Sequence, residues 1–307
     1  VSPDVAKSNA VGVATVDGTK ATIELLDGIL TLEGQTTYSG AAAAKLNGCL
    51  VTVSSYKRDY LTLSKVNGKG ASTALNLTTN RMGTKELSAG ARFFEQVGNG
   101  RLGEIDRSDI TITSIPANKI TYVGYDWAGR VDKLVLNDVT GDRYDYGIIH
   151  YQPAGYQETP GNPDGNGEYK NGEISVTNGS FPKGMPPYVV GSVDGAKTNR
   201  MGGVAGSLDQ LDGKNRMAAF MPLNEATGIR RAQFDTDAML LTTNSMVIPI
   251  SDKVECYNKT TGDWFKPGED GDHKAALNLA LAFSDDITVY YDRSPEEGGK
   301  VRIVVVE

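Results

Sequence analysis

Two histidines, His150 and His273, are the only imidazoles in 307 residues, so any nucleophilic triad must run through one of them. His150 stands beside Tyr151 in a strand-like segment with no Ser, Cys or acid in a recognisable elbow, and His273 follows Glu269, Asp270 and Asp272 in an acidic loop. An enzymatic role gains support if either lies in a concave pocket beside a carboxylate, and loses it if both are isolated. No G-x-S-x-G, P-loop or dinucleotide fingerprint stands between a strand and a helix. A glycosidase-type carboxylate pair needs two acids at a set separation, and the 38 Asp and Glu residues nominate no two of them. The sequence therefore reads as non-catalytic, with no catalytic residue named and a hydrolase of unrecognised site as the third alternative.

Oxygen ligands at a metal-loop spacing occur once. Asn162, Asp164, Asn166, Gly167 and Glu173 take positions 1, 3, 5, 6 and 12 of an EF-hand-like calcium loop, with the Glu168 backbone carbonyl available at position 7. Asn162 replaces the usual Asp, Lys170 takes the ninth position, and Pro160 and Pro163 stand where helices would flank the loop. A solvated Asn/Gly turn is the simpler reading, with Ca2+ as the one cofactor the spacing suggests. Aromatic residues near hairpin tips, Tyr125, Trp127, Trp264 and Tyr291, are the candidates for stacking against a sugar or other ligand. Their exposure decides between ligand binding and covering a core.

The net charge of -7 offers no basic field to a phosphate backbone, which argues against nucleic acid. The longest apolar-rich stretch, Ala275 to Phe283, is about half of what a bilayer needs. Val1 opens the chain without a signal peptide, the appearance of a mature or trimmed segment. Cys49 and Cys256 are too few for a disulfide framework; two unpaired thiols or one interdomain disulfide remain open. Thirty-six glycines, many in Asn-Gly, Asp-Gly and Thr-Gly pairs, suit the positive φ of hairpin turns.

The elements that would position these groups repeat. Ala74, Leu77, Thr78, Thr79, Asn80 and Met82 return as Ala238, Leu241, Thr242, Thr243, Asn244 and Met246, an offset of 164 (241 less 77). Upstream, Leu46 to Gly48 match Leu211 to Gly213, and Val16 to Gly18 match Val193 to Gly195. Downstream, Phe93 matches Tyr257, Val123 and Tyr125 match Val289 and Tyr291, and Val131 matches Val301. Colinear matches predict an internal duplication in which the two LTTN segments occupy the same place.

Apolar and polar residues alternate over Ile110–Ile115, Ile120–Tyr125, Val131–Leu136, Ile287–Tyr291 and Val301–Val306, the period of a half-buried strand. Tyr144 to Tyr151 predicts a further strand closing the first copy. Ser39–Leu46 and Lys274–Ala282 predict short accessory helices. The expected architecture is mainly β: two similar β-sandwich or partly open β-barrel domains, over 1–152 and 173–307, joined by a Pro/Gly/Asn-rich linker over 153–172.

The strings Lys133–Gly147, KLVLNDVTGDRYDYG, and Val289–Val306, VYYDRSPEEGGKVRIVVV, resemble segments of S-layer homology domain-containing cell-surface proteins of gut Firmicutes, a similarity extending over most of the chain. The resemblance implies an extracellular location at the bacterial surface and a structural or presentation role, with cell-wall or surface-layer components or glycans as partners. No surface-layer homology repeat is present to carry over a wall-anchoring residue, and the resemblance brings no catalytic residue. The main alternative is a carbohydrate- or other ligand-binding module using exposed aromatics.

Overall fold

The computed structural model describes residues 10–26, 31–38, 40–66, 70–158 and 167–307. The chain is mainly β and divides into two units. Unit 1 comprises residues 1–106, 113–138 and 207–209, and unit 2 residues 107–112, 139–206 and 210–307. Among the described residues no helix is long and apolar enough to cross a membrane.

In unit 1, β1 (Ala10–Asp17), β2 (Lys20–Leu25), β3 (Thr31–Thr36), β4 (Leu50–Lys57) and β5 (Tyr60–Lys65) close into a barrel in the order β1-β2-β3-β5-β4, with β4 returning to β1. Every pair is antiparallel except β3 with β5. A period of two turns Ala21, Ile23 and Leu25 inward from β2 and Leu61 and Leu63 inward from β5. Helix α1 (Gly40–Ala44) falls within the predicted helix; Ser39 lies outside the described residues.

The rest of unit 1 is a sheet of β6 (Leu75–Asn76), β7 (Arg81–Met82), β8 (Lys85–Gln96), β9 (Gly103–Ile105), β10 (Ser114–Ile115), β11 (Ile120–Tyr125) and β12 (Val131–Asn137). Its order is β10-β6-β7-β8-β12-β11, with β9 on β8, and β8 and β12 run parallel at its centre. The strand predicted over 110–115 is thus reduced to its last two residues, because Arg107–Asp109 forms a 3-10 turn and only Ser114 and Ile115 pair, with Asn76 and Leu75.

Unit 2 builds the same succession. Its barrel strands are β13 (Asp145–Gln152), β16 (Gly172–Thr177), β17 (Tyr188–Val190), β18 (Met201–Leu211) and β19 (Lys214–Pro222), in the order β13-β16-β17-β19-β18 with only β17 and β19 parallel. Strands β14 (Gly155–Glu158) and β15 (Gly167–Lys170) form a separate hairpin between β13 and β16. The sheet contains β20 (Asn224–Ile229), β21 (Phe234–Asp235), β22 (Leu240–Thr242), β23 (Val247–Asn258), β24 (Asp263–Phe265), β25 (Ile287–Tyr291) and β26 (Val301–Val306). Its order is β20-β25-β26-β23-β22-β21, with β24 on β23 and a parallel centre of β23 and β26. Helix α2 (His273–Phe283) is capped by the Asp272 carboxylate, which accepts from Ala275 N at 3.2 Å, and buries Leu277, Ala280 and Leu281 in the core of this sheet.

The pairing corrects two expectations. Residues 144–151 do not close the first unit: Asp145–Gln152 is the first strand of the second barrel, antiparallel to β16 from Ile148 opposite Thr177 to Gln152 opposite Glu173. The boundary therefore falls between Asp138 and Val139. Residues 153–172, predicted as a linker between domains, instead connect two paired strands of one barrel. The predicted LTTN equivalence fails as well. Leu77–Asn80 is the turn between β6 and β7, whereas Leu241 and Thr242 lie in β22 and lead into the turn before β23.

Equivalence by pairing is set elsewhere. Asn76 Oδ1 accepts from the amides of Thr78 and Thr79, and Asp235 Oδ1 from those of Asp237 and Ala238. Each turn then ends on a residue of positive φ, Asn80 at 55° and Met239 at 51°.

Candidate functional site

The Arg302 guanidinium is a deeply buried charge of unit 2, the residue being 2% exposed in the central strand β26. Its Nε and Nη2 donate to Asp292 Oδ2 at 3.1 and 2.9 Å, Nη1 to Asp142 Oδ1 at 2.6 Å, and Nη2 also to the Thr140 carbonyl at 2.6 Å. Lys300 Nζ adds 3.1 and 2.8 Å bonds to the two Asp142 oxygens, and the Tyr146 ring lies 5.0 Å from the guanidinium carbon. Burial pushes the Asp142 carboxyl up, but Arg302 and Lys300 outweigh it and hold it below its ordinary value. Geometry and charge are satisfied inside the cluster, the pattern of a structural ion network.

Beside it lies a polar cavity of about 90 Å3. Glu255, in β23 and 5% exposed, accepts from Gly179 N at 2.9 Å through Oε2 and from Ser180 Oγ at 3.4 Å through Oε1. Burial, with a smaller push from Asp145, raises its carboxyl to about 7 against the pull of those two donors. His273 Nδ1 stands 3.9 Å from Glu255 Oε1 and 3.0 Å from the Val254 carbonyl. A cavity histidine beside a carboxylate is thus present. Its Nδ1 faces a main-chain carbonyl rather than a hydroxyl nucleophile, and the volume is well below the roughly 300 to 1,000 Å3 of ordinary ligand sites. His150 is exposed, its Nε2 3.1 Å from Thr177 Oγ1.

A larger cleft, of about 420 Å3, opens where the β14–β15 hairpin meets β16, β17 and the β18–β19 turn. Tyr169, Asn171, Glu173, Val189, Asp212 and Lys214 line it. Lys214 Nζ pairs with Glu173, and Asn171 Nδ2 donates to Asp212 Oδ2 at 3.2 Å. Tyr156 and Tyr169 are direct cross-strand neighbours and so share one face of the hairpin, at 59% and 68% exposure. Tyr169 lines the cleft, and Tyr156, whose hydroxyl accepts from Gly167 N, stands opposite it in the hairpin, so exposed aromatic surface lies near hydrogen-bonding groups.

The aromatic residues singled out from the sequence fall in both units. In unit 1, Trp127 is 96% exposed in the β11–β12 turn, and Tyr125 is exposed with Lys85 Nζ 5.8 Å from its ring centre. In unit 2, Trp264 packs its ring 4.9 Å from that of Tyr257, and Tyr291 packs on the sheet core. Tyr291 thus covers apolar surface, while Trp264 is half-buried against another ring. Of the predicted calcium ligands, Asn162, Asp164 and Asn166 lie outside the described residues, Glu168 lies in β15, and Glu173 in β16 is engaged by Lys214. Among the described residues no group of three or more His, Cys, Asp or Glu is placed to hold a metal ion. Both cysteines are free thiols, and burial drives that of Cys256 far above its ordinary value.

Sequence reasoning passed over the cleft because its lining comes from five separate elements. The GYQE and GEYK strings of β14 and β15, each an aromatic among polar residues after a glycine, carried the one available signal. No family model, curated protein or solved structure matches the chain.

Proposed function

We propose that this chain is a non-catalytic binding and presentation region of a bacterial cell-surface protein, and that it holds a neutral glycan in the cleft of its second barrel. The observation that carries the reading is the exposed Tyr169 in the lining of that cleft, with the exposed Tyr156 opposite it in the hairpin. Small Greek-key barrels bind oligosaccharides and oligonucleotides over their second and third strands, between the loop joining strands 1 and 2 and that joining strands 4 and 5. Those are the places of β16, β17, the β14–β15 strand pair and the Asp212–Gly213 turn in this barrel. Fold analogy alone does not assign a function, so the chemistry must choose the ligand. Glu173 and Lys214 neutralise each other, and a net charge of -7 opposes a polyphosphate. Sugar rings stacked on tyrosine, with hydroxyls bonded to Asn171, Asp212 and Glu173, suit the lining. The resemblance to surface proteins supports the extracellular setting.

A panel of cell-wall polysaccharides and soluble glycans, titrated against the intact chain, tests this. Tyr169→Ala is expected to weaken binding about tenfold, the equivalent of roughly 1.4 kcal/mol for one lost stacking ring. Binding of no glycan, or binding indifferent to both tyrosines, would overturn the proposal. A calcium chelator is expected to leave the melting temperature and the binding unchanged, because Lys214 already occupies Glu173. A fall of many degrees would restore calcium as a resident ligand.

A further inference from the structure

The 178–187 connection joins β16 to β17, and its first residues are seated on the sheet of unit 2 through Glu255. At Gly179 the seating leaves no room: a Cβ there would stand 2.7 Å from the Phe265 carbonyl oxygen and 2.8 Å from Glu255 Oε2. The connection is also pinned from the barrel side, where Asn178 Nδ2 donates to the Tyr146 carbonyl at 2.9 Å.

The charged groups around Glu255 come from every element packed there. Asp145 lies in β13, Lys253 is two residues away in β23, His273 comes from α2, and Arg302 from β26 is committed to Asp142 and Asp292. The only charged side chain of the connection, Lys183, is exposed.

We propose that Glu255 is a proton-controlled latch: while its carboxyl is neutral the 178–187 connection stays seated, and loss of the proton drives the connection off β23 so that the anion reaches water. An anion closed into this site loses hydration and faces the Asp145 carboxylate, against which it has the Gly179 and Ser180 donors and the His273 ring 3.9 Å away; a neutral acid avoids both costs. The seated carboxyl keeps its proton to about 7, against an ordinary 4.5 when hydrated. Seating is therefore favoured in acid and lost as pH rises through about 7, with the seated-to-lifted ratio falling on the order of a hundredfold between pH 5 and 8.5.

Hydrogen exchange on the full chain, corrected for the intrinsic pH dependence of the amide rate, reads this directly. Amides in 178–185 are expected to lose protection by tens-fold from pH 5.5 to 8.5 relative to those of β23, and Glu255→Gln is expected to hold its protection at both. Wild-type protection that ignores pH, or a glutamine variant that follows the wild-type curve, would overturn the latch. Carbon-detected titration of the Glu255 carboxyl in the unaltered protein decides the matter if the variant does not fold: a midpoint near neutrality supports the latch, and one in the ordinary carboxylate range sinks it.

Discussion

Replacing Arg302 with alanine is expected to remove about 3 to 5 kcal/mol from the stability of unit 2, the usual cost of leaving buried countercharges unpaired. The substitution strips Asp292 of both guanidinium bonds and Asp142 of one, and it removes the Nη2 bond to the Thr140 carbonyl. Lys300 still reaches Asp142, while Asp292 keeps the main-chain donors Arg293 N and Lys300 N on Oδ1 and the Tyr146 hydroxyl, at 3.5 Å, on Oδ2. Because Asp142 is held below its ordinary value of 3.8, its share of stability is present above that pH and is lost as pH falls through the lowered value. Wild type should therefore keep this share in mild acid. Trp127 lies in unit 1 and Trp264 in unit 2, so urea unfolding of a Trp127→Phe background reports on unit 2 through Trp264. A loss below about 1 kcal/mol, within the range of an exposed ion pair, would mean that water reaches the cluster. Replacing Arg302, Lys300, Asp142 and Asp292 together by apolar residues is expected to cost less than the alanine change alone, since no charge of the cluster is left behind.

Hairpins were legible wherever alternation continued into a pairing. Tyr125 pairs with Val131 and Tyr291 with Val301, each beside a bulge, so the sequence matches at offsets of 166 and 170 fall on equivalent positions. The LTTN match failed for a local reason. The turn between β6 and β7 depends on one side-chain oxygen, from Asn76 in unit 1 and Asp235 in unit 2, so two different sequences make one turn while the repeated string sits elsewhere. Barrel equivalences escaped a search at a single spacing because the long 153–172 connection falls inside the first hairpin of the second barrel. Before it, Val16 and Tyr151 hold matching places at an offset of 135 (151 less 16); after it, Ile23 and Val176 do so at 153 (176 less 23). The same connection reads from composition as a linker, since Pro, Gly and Asn mark exposed loops whatever they join. Glu255 gave no signal at all: a polar residue among apolar ones in a strand reads as facing water, and it is enclosed by packing from elements distant in sequence, Gly179 and α2 among them.

Glycines at one place in both barrels allow a test that topology alone does not. Gly12 in β1 and Gly147 in β13 share the offset of 135, and each faces the main chain of the second barrel strand. A Cβ on Gly12 would stand 2.5 Å from the Glu24 carbonyl oxygen, and one on Gly147 would stand 2.2 Å from that of Thr177. Glu24 and Thr177 are themselves equivalent by pairing, at the 153 offset of the second strands. Five strands close only if they coil tightly, and a residue without a Cβ lets one strand bend onto its neighbour. Gly12→Ala and Gly147→Ala are each expected to cost about 3 kcal/mol, at the upper end of ordinary overpacking, because the obstacle is backbone rather than a movable side chain. Gly90→Ala and Gly191→Ala serve as controls within about 0.5 kcal/mol, since a Cβ at either meets nothing within 4 Å. Hydrogen exchange of the strand amides of each barrel in urea assigns each loss to its own unit. Equal losses at the two glycines would mean that one closure device serves both barrels. A large loss at one and none at the other would show that the shared strand order is closed by different packing in each.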